Sequence, residues 1–444
     1  MGTVTGGVGS ARLRIVHPWT EEAVLGLQCL VDDFVAEHHD VSVVLESVPT
    51  GDWDEFHNKI LMQMAAGTAP DLVYVVSEHL GLFAQRLAEP LDELVLRDRN
   101  ELGEYFSDVH PLLVESMMYE GSLFELPIEF NAANIFYNTE WFEQASVSRP
   151  ADNWSKDDFY DVAKKLASAG LSEVTSYGWV NRLWGGAVPW MYAAGAGLLE
   201  ETRFDDGAWL WSEFYPGEPS VVGRGGGWRW GAPHANDARN VEALQFLVDL
   251  TREGLSLTPA EGGGGTRFGR RWVGRVADAF LAGRLGMSPA GAFWTGELHR
   301  SGMAPDAFDV QYFPRWATQR HEFGAAGYAI TKQARDKELA WEWIKFSASK
   351  AAMDKTFVNN ESTPARRSMA TASQYEWSGP RHWEVFYETL ERFPDSAPVP
   401  GPLTTAALTA TFTKYVELAV SGKLPAKQAL DELQHALERM SRWY

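Results

Sequence analysis

The chain has 444 residues, 45% of them apolar, which is enough to bury the cores of two or three domains and too apolar for wholesale disorder. With 39 Lys and Arg against 60 Asp and Glu it carries a formal charge of −21, which excludes a binder of nucleic-acid backbones and counts against anionic membranes and anionic ligands unless a local basic pocket intervenes. No run of 18 apolar residues is present, so no membrane span is predicted, while nineteen tryptophans suggest a surface built for stacking.

The opening Met1–Ser10 is Gly-rich without an apolar stretch and predicts a flexible tail, such as remains when an exported protein loses its signal segment. A short strand follows at Leu13 and Ile15. Leu27, Leu30, Val31 and Phe34 then fall at i, i+3, i+4 and i+7, one face of a helix. The single cysteine, Cys29, lies in this pattern and is expected to be a small core residue; alone, it excludes an internal disulfide and a Cys-rich metal site. Val41–Val48 is extended, Trp53–Ala66 is helical and stopped by Gly67, and Ala69–Val76 is a third strand. Strand–helix–strand–helix–strand predicts a parallel sheet with right-handed crossovers. Ligands of such sheets sit beyond the carboxyl ends of the strands, here His17–Thr20, Glu46–Val48 and Ser77–His79.

Further along, Ser155 is a predicted N-cap with Asp158 completing a capping box and Trp154 and Phe159 forming a hydrophobic staple; Gly170 ends that helix. Other helices are predicted at 240–253, 337–349 and 425–440. The Gly- and Trp-rich stretch Gly223–Trp230 and the run Gly262–Gly265 read as flexible loops, and no internal repeat appears.

The stretch Gly121-Ser-Leu-Phe-Glu-Leu-Pro-Ile-Glu-Phe-Asn-Ala-Ala-Asn-Ile-Phe-Tyr-Asn-Thr-Glu-Trp-Phe142 resembles the first interlobe crossing of extracytoplasmic solute-binding proteins that feed carbohydrate ABC importers, the maltose-binding-protein-like family. Ala65–Tyr74, Pro90–Glu93, Asn153-Trp-Ser, Ala279–Ser288 with Gly291–Trp294, Gly324–Ile330 with Glu338–Phe346, and Ser362–Arg367 resemble further family elements in family order. The resemblance runs from about residue 12 to 440 and is weakest over 200–235. It implies an α/β fold of the periplasmic-binding-protein type II kind: two doubly wound lobes, 11–127 plus 286–327 and 128–285 plus 328–444, after a tail at 1–10. Three hinge crossings are expected near Leu126–Glu129, Arg284–Ser288 and Gly327–Ile330, with ligand bound between lobes that close on it.

A sugar needs flat aromatic faces and side chains that hydrogen-bond hydroxyls, and an unpaired hydroxyl in a closed cleft costs roughly 1–3 kcal/mol. Trp19, Glu46 and Glu78 are candidates as residues at the ends of the first strands, against the reading of surface carboxylates and a lobe-capping ring. The resemblance adds Asn131 at the first crossing, Trp184, Trp190 and Trp294 as aromatics whose alternative is core packing, Gly327 and Tyr328 at the third crossing, and Arg366, whose alternative is an interlobe salt bridge. Trp228 and Trp230 are outside candidates. Glu125 and Glu129 read as paired glycosidase carboxylates would stand roughly 13 Å apart along a strand, too far for a clean pair. No phosphate loop or nucleophile elbow is present.

The resulting expectation is a non-enzymatic, monomeric, extracytoplasmic receptor, periplasmic or lipid-anchored, without metal or cofactor. It would capture a di- or oligosaccharide and deliver it to ABC permease subunits. A glycerophosphodiester receptor using Arg366 for phosphate is the alternative within the class, and a glycan-cleaving enzyme the alternative outside it.

Overall fold

Strands β2 (Ala11–His17), β3 (Val41–Ser47) and β4 (Leu72–Val76) pair in parallel in the order β3-β2-β4. The computed structural model describes residues 3–7, 9–19, 24–48, 50, 53–169, 175–257, 275–357, 362–370 and 379–441. The expected tail is in part a strand: β1 (Thr3–Gly6) pairs antiparallel with β3, covering the sheet's edge. β14 (Glu322–Ile330) inserts antiparallel between β4 and β7 (Glu129–Ala132), and β15 (Thr363–Pro364) pairs with β7. Helices Gln28–Glu37 and Lys337–Ser347 cover one face through Leu30, Val31, Phe34 and Trp343; Trp53–Ala65 and Leu80–Arg86 cover the other through Phe56, Ile60 and Phe83. Cys29 is exposed rather than core, because the buried stripe of its helix at 27, 30, 31 and 34 faces the other way.

The second lobe holds a mixed sheet in the order β13-β8-β12-β9, with β8 at Asn134–Asn138, β9 at Thr175–Tyr177, β12 at Leu285–Ala290 and β13 at Phe308–Gln311. Helices Lys156–Ser168, Ala238–Arg252, Thr405–Val420 and Ala426–Ser441 supply its main core. Ser155 and Asp158 form the predicted capping box, and Trp154 meets Phe159 at 5.7 Å. Gly67 and Gly254, the expected helix stops, adopt φ of +71° and +72°. Gly170 and Gly262–Gly265 lie outside the described residues.

The lobe boundaries differ from those expected. β7 leads into β8 through Ala133, a few residues after the expected first crossing. β12 stays in the second lobe, where its all-buried residues pair with β8 and β9, so the chain returns only between β13 and β14, at 312–321. Gly327–Ile330 is likewise no crossing: it is the centre of the first sheet, and the helix after it packs back on β14. Residues 328–357 therefore belong with the first lobe and 286–311 with the second.

The 200–235 region forms an arm. β10 (Leu199–Arg203) and β11 (Trp228–Pro233) make an antiparallel ribbon leaving the second lobe. The chain between them docks on the first lobe, adding Leu210, Trp211 and Tyr215, with Trp228 of the ribbon, to that lobe's core. Trp209 Nε1 donates to the Gly121 carbonyl at 2.9 Å and the Tyr215 hydroxyl to the Val109 carbonyl at 3.0 Å. The Gly225-Gly-Gly227 stretch is a close-packed contact, not a flexible loop: a Cβ on Gly227 would lie 2.0 Å from the Met118 carbonyl oxygen. Beneath it, Glu115 is fully buried and accepts from Arg203 Nε at 3.1 Å, Arg224 Nη1 at 2.9 Å and the Gly225 amide at 2.9 Å. Such a network hardly stabilises when whole but is costly to break. Glu115→Ala, which leaves the buried guanidinium of Arg224 without a carboxylate while Arg203 keeps Glu201, should lower the unfolding free energy by about 3–5 kcal/mol in urea titration.

Candidate ligand site between the lobes

Because β14 lies beside both β4 and β7, one sheet face carries His17, Tyr74, Tyr328, Gly324, Glu129 and Asn131 in adjacent strands. Lys337–Ser347 covers part of this face, with Trp343 6.2 Å from Tyr328. Trp19, half-buried, sits 4.7 Å from the His17 ring and 5.3 Å from Tyr74, and Trp53 stacks on Tyr74 at 6.1 Å. The Tyr74 hydroxyl donates to Glu129, and the Tyr328 hydroxyl pairs with His17 Nε2 at 2.8 Å. Asn131 is held by its Nδ2, which donates to Ser362 Oγ at 2.7 Å, while its Oδ1 has no partner among the described residues. Glu78 follows β4 in a half-buried turn; its carbonyl accepts the Thr405 hydroxyl at 3.0 Å.

From the second lobe comes the turn Arg182-Leu-Trp-Gly-Gly186. Gly185 has φ of +64°, which favours glycine, and its amide donates to Glu322 Oε2 at 2.7 Å. This turn presents the half-buried Trp184 indole, 5.3 Å from Phe293 and 5.2 Å from the Arg182 guanidinium. The two lobes meet closely here. A Cβ placed on Gly324 would lie 3.6 Å from Trp184 Cδ1 and 3.9 Å from Glu78 Oε2.

Charge at this junction is unevenly balanced. Glu322 is fully buried, and its Oε1 has no partner among the described residues. Burial pushes its carboxyl well up, with the Gly185 amide and Arg182 pulling against it. Burial also raises Glu78. Arg182 is brought down to about 10 by burial, opposed by Glu322 and Glu78. No cluster of metal-ligating side chains occurs among the described residues.

A model of the Bacterial extracellular solute-binding protein family matches residues 18–354, more than half of the sequence. The chain belongs to that family. A Brucella abortus relative, named only as a binding protein, is 25% identical over 346 residues, 77% of this chain and 73% of its own. An ABC substrate-binding protein of Listeria monocytogenes, solved with cycloalternan, superposes with a TM-score of 0.77 at 17% identity over 97% of this chain and 99% of that one. The GacH receptor of Streptomyces glaucescens, solved unliganded and with acarbose, gives 0.73 at 18% over 98% and 99%. UgpB of Mycobacterium tuberculosis, solved with glycerophosphocholine, gives 0.73 at 16% over 98% and 100%. At these identities the solved neighbours establish a shared two-lobed α/β fold.

Within this solute-binding fold the junction gathers Trp19, Glu78, Asn131 and Trp184 from the sequence-predicted residues, with Tyr328 one layer beneath as a support for His17. The others lie elsewhere. Glu46 is spent on Arg14, which holds it through two contacts of 3.0 and 2.8 Å on the sheet face nearer Gln63. Trp190 is fully buried among Phe159, Tyr177, Phe246 and Phe313, its Nε1 donating to the Tyr177 hydroxyl. Trp294 packs on Phe136 and Phe280, and it is the neighbouring Phe293 that meets Trp184. Gly327 points away from the junction; a Cβ there would lie 2.6 Å from the Leu126 carbonyl oxygen. Arg366 is interior to the first lobe, donating to the Ala348 carbonyl at 2.9 Å, 3.5 Å from Asp108 and over the Tyr105 ring. Of the outside candidates, Trp228 lies under the Arg203 guanidinium at 3.8 Å and Trp230 is packed against both lobes' cores.

Tyr74, Glu322, Arg182 and Phe293 were not singled out from sequence. Tyr74 sits in an apolar run that reads as plain core, although its hydroxyl demanded a partner. Glu322 opens a strand and carries no periodic signal.

Two predictions follow from this placement. Trp190→Ala should act on folding, lowering stability by about 3–5 kcal/mol as a core truncation, measured by urea denaturation. His321 is buried, accepts the Phe313 amide on Nε2 at 2.9 Å, and is lowered by burial to about 3, as His17 and His110 are. Each folded pKa lies below the ordinary 6.5, so this stability is complete above that value and is lost as pH falls toward 3. His321→Gln should flatten the slope of unfolding free energy across that window, by up to roughly 1.4 kcal/mol per pH unit.

Proposed function

We propose that this solute-binding protein is the receptor of an ABC importer, that it takes a di- or oligosaccharide between its lobes, and that it hands the sugar intact to the permease outside the cytoplasm. The observation that carries this reading is the pairing of half-buried indoles from both lobes, Trp19 and Trp184, around Glu78, Asn131 and Glu129. Flat rings pack on the C–H faces of a pyranose, and carboxylate and amide groups take up its hydroxyls. The neighbours solved with cycloalternan and acarbose support a carbohydrate.

The neighbour solved with glycerophosphocholine supports the other ligand class, but the charges here oppose a phosphodiester. Arg366 is interior, and Arg182 already faces Glu322 and Glu78. A phosphodiester without a cation of its own would find, among the described residues, only Arg182, already facing Glu322 and Glu78, to balance it; glycerophosphocholine carries a quaternary ammonium, so the thermal-shift screen includes it.

A thermal-shift screen across mono- and oligosaccharides and glycerophosphocholine tests the reading, since a ligand that binds only the folded state raises the melting temperature. A sugar, recovered without cleavage, should stabilise the protein; stabilisation by glycerophosphocholine alone, or release of shorter glycans, would defeat the proposal. Trp184→Ala should weaken binding of that sugar by about tenfold or more in calorimetry, with little change in melting temperature, because the ring is half-buried rather than core.

A further inference from the structure

Lobes joined by short links move relative to one another unless a further contact restrains them. A line of charges supplies such a contact here, and it runs through the arm's ribbon rather than through the links. Its second-lobe end is Arg320, whose guanidinium lies 4.4 Å from the centre of the Tyr192 ring. The same stretch is tied to that lobe by Thr318, whose hydroxyl donates to the Tyr192 carbonyl at 2.8 Å. Arg320 Nη2 donates to Glu201 of β10. Glu201 Oε1 also accepts from Arg203 Nη1 at 3.1 Å and from Trp228 Nε1 at 3.2 Å. Arg203 Nε then reaches Glu115 of the first lobe at 3.1 Å. Burial alone would push the Glu201 carboxyl up, but Arg320 and Arg203 outweigh it and hold it below its usual range.

The spacing gives this line little slack. Side chains of a strand alternate, so Glu201 and Arg203 stand on one face of β10, about 7 Å apart along it. Only Thr202 separates the residue held by the second lobe from the residue held by the first. A bulge between Leu199 and Glu201 bends the ribbon just before that step.

We propose that the arm is a brace: through Arg203 it fixes the two lobes to each other and limits how far they swing apart when no ligand is bound. Arg203 is the member that spans the two anchors, bonding Glu201 with one nitrogen and Glu115 with another. The brace is a property of the lobes and holds whatever the ligand is.

Arg203 is also the link that can be cut cleanly. Without it Glu115 keeps Arg224 and the Gly225 amide, and Glu201 keeps Arg320 and Trp228, so neither carboxylate is stranded. Met retains an apolar stem over Trp228, where the guanidinium stood 3.8 Å from the ring centre. The arm stays docked through Trp209 and Tyr215.

The test uses the full chain without ligand. Cys29, exposed on the first lobe, and Lys423→Cys, exposed beyond the second lobe's helix Thr405–Val420, take spin labels whose separation is read by double electron–electron resonance. Arg203→Met should move the distance distribution outward by several ångströms and broaden it, with the melting temperature nearly unchanged. Glu201→Gln, which removes the charge between Arg320 and Arg203, should shift it in the same direction and decides the matter if Arg203→Met does not fold. Arg14→Met, which breaks the Arg14–Glu46 pair inside the first lobe, should leave the distribution where it was. Distributions that coincide in the labelled wild type and every folded brace variant overturn the proposal, as does an equal shift in Arg14→Met. Either result leaves the receptor reading standing, and a protein that no sugar stabilises leaves the brace standing.

Discussion

The antiparallel insertion of β14 between β4 and β7 is the constraint on which the rest of the molecule depends. Nine consecutive residues of an apolar strand, all but Gly324 buried, can be satisfied only as a central strand paired on both edges. Once there, its register decides the junction. Tyr328 falls opposite Tyr74, Ala326 opposite both Val76 and Glu129, and Gly324 opposite Asn131. A slip of one residue would send every one of these side chains to the opposite face of the sheet. Glu322, at the strand's start, then lies where the second lobe's Gly185 amide can reach it.

The molecule treats its buried carboxylates in two ways, and the contrast separates scaffold from site. Glu115 has both oxygens filled, by two guanidiniums and an amide, and sits where the arm is fastened. Glu125 and Glu322 are as deeply buried but keep oxygens without partners among the described residues, and burial raises both carboxyls well above their usual range. A buried carboxylate without a partner is destabilising by more than the roughly 1–3 kcal/mol of a neutral polar group. Such strain is tolerated where a structure serves something besides its own stability. For Glu322, at the contact between lobes, that fits a site; for Glu125, beneath Gly327 in the first lobe, the structure offers no account.

Much of the fold was legible because it was written locally. The alternation of strand and helix over 12–76, the Ser155 capping box and the Gly67 and Gly254 stops are short-range signals, and each element formed within a few residues of its expected place. The boundaries between lobes were misjudged because sheet membership is a long-range property: β12 and β14 both read as apolar strands, and nothing in Leu285–Ala290 or Glu322–Ile330 says which sheet each will join. The site was harder still. Trp184 and Trp190 share one short segment, yet one caps a glycine turn and the other fills a core, a difference set by Phe159, Phe246 and Phe313 many residues away. Arg366 and Glu46 failed for a related reason, since each was claimed by a nearby opposite charge or carbonyl within the first lobe.

The arm gives the least legible region a mechanical meaning. It leaves the second lobe by the β10–β11 ribbon but is fused to the first by core residues, by Gly121 and by the Glu115 network. Breaking that network exposes unpaired charge, so it holds while softer contacts give. If the lobes swing, the arm must therefore travel with the first, and the bending must fall in the ribbon and in the links at Ala133, at 312–321 and at 399–404, where the chain passes from Ala397–Pro398 beside β14 to Thr405–Val420. Among the described residues the ribbon has no third strand beside it, so its two strands are the sheet-level link between the arm and its own lobe. The Gly-rich composition of 223–227 then serves close packing at the tip rather than looseness: a Cβ on Gly225, Gly226 or Gly227 would lie 2.0–2.2 Å from a backbone oxygen.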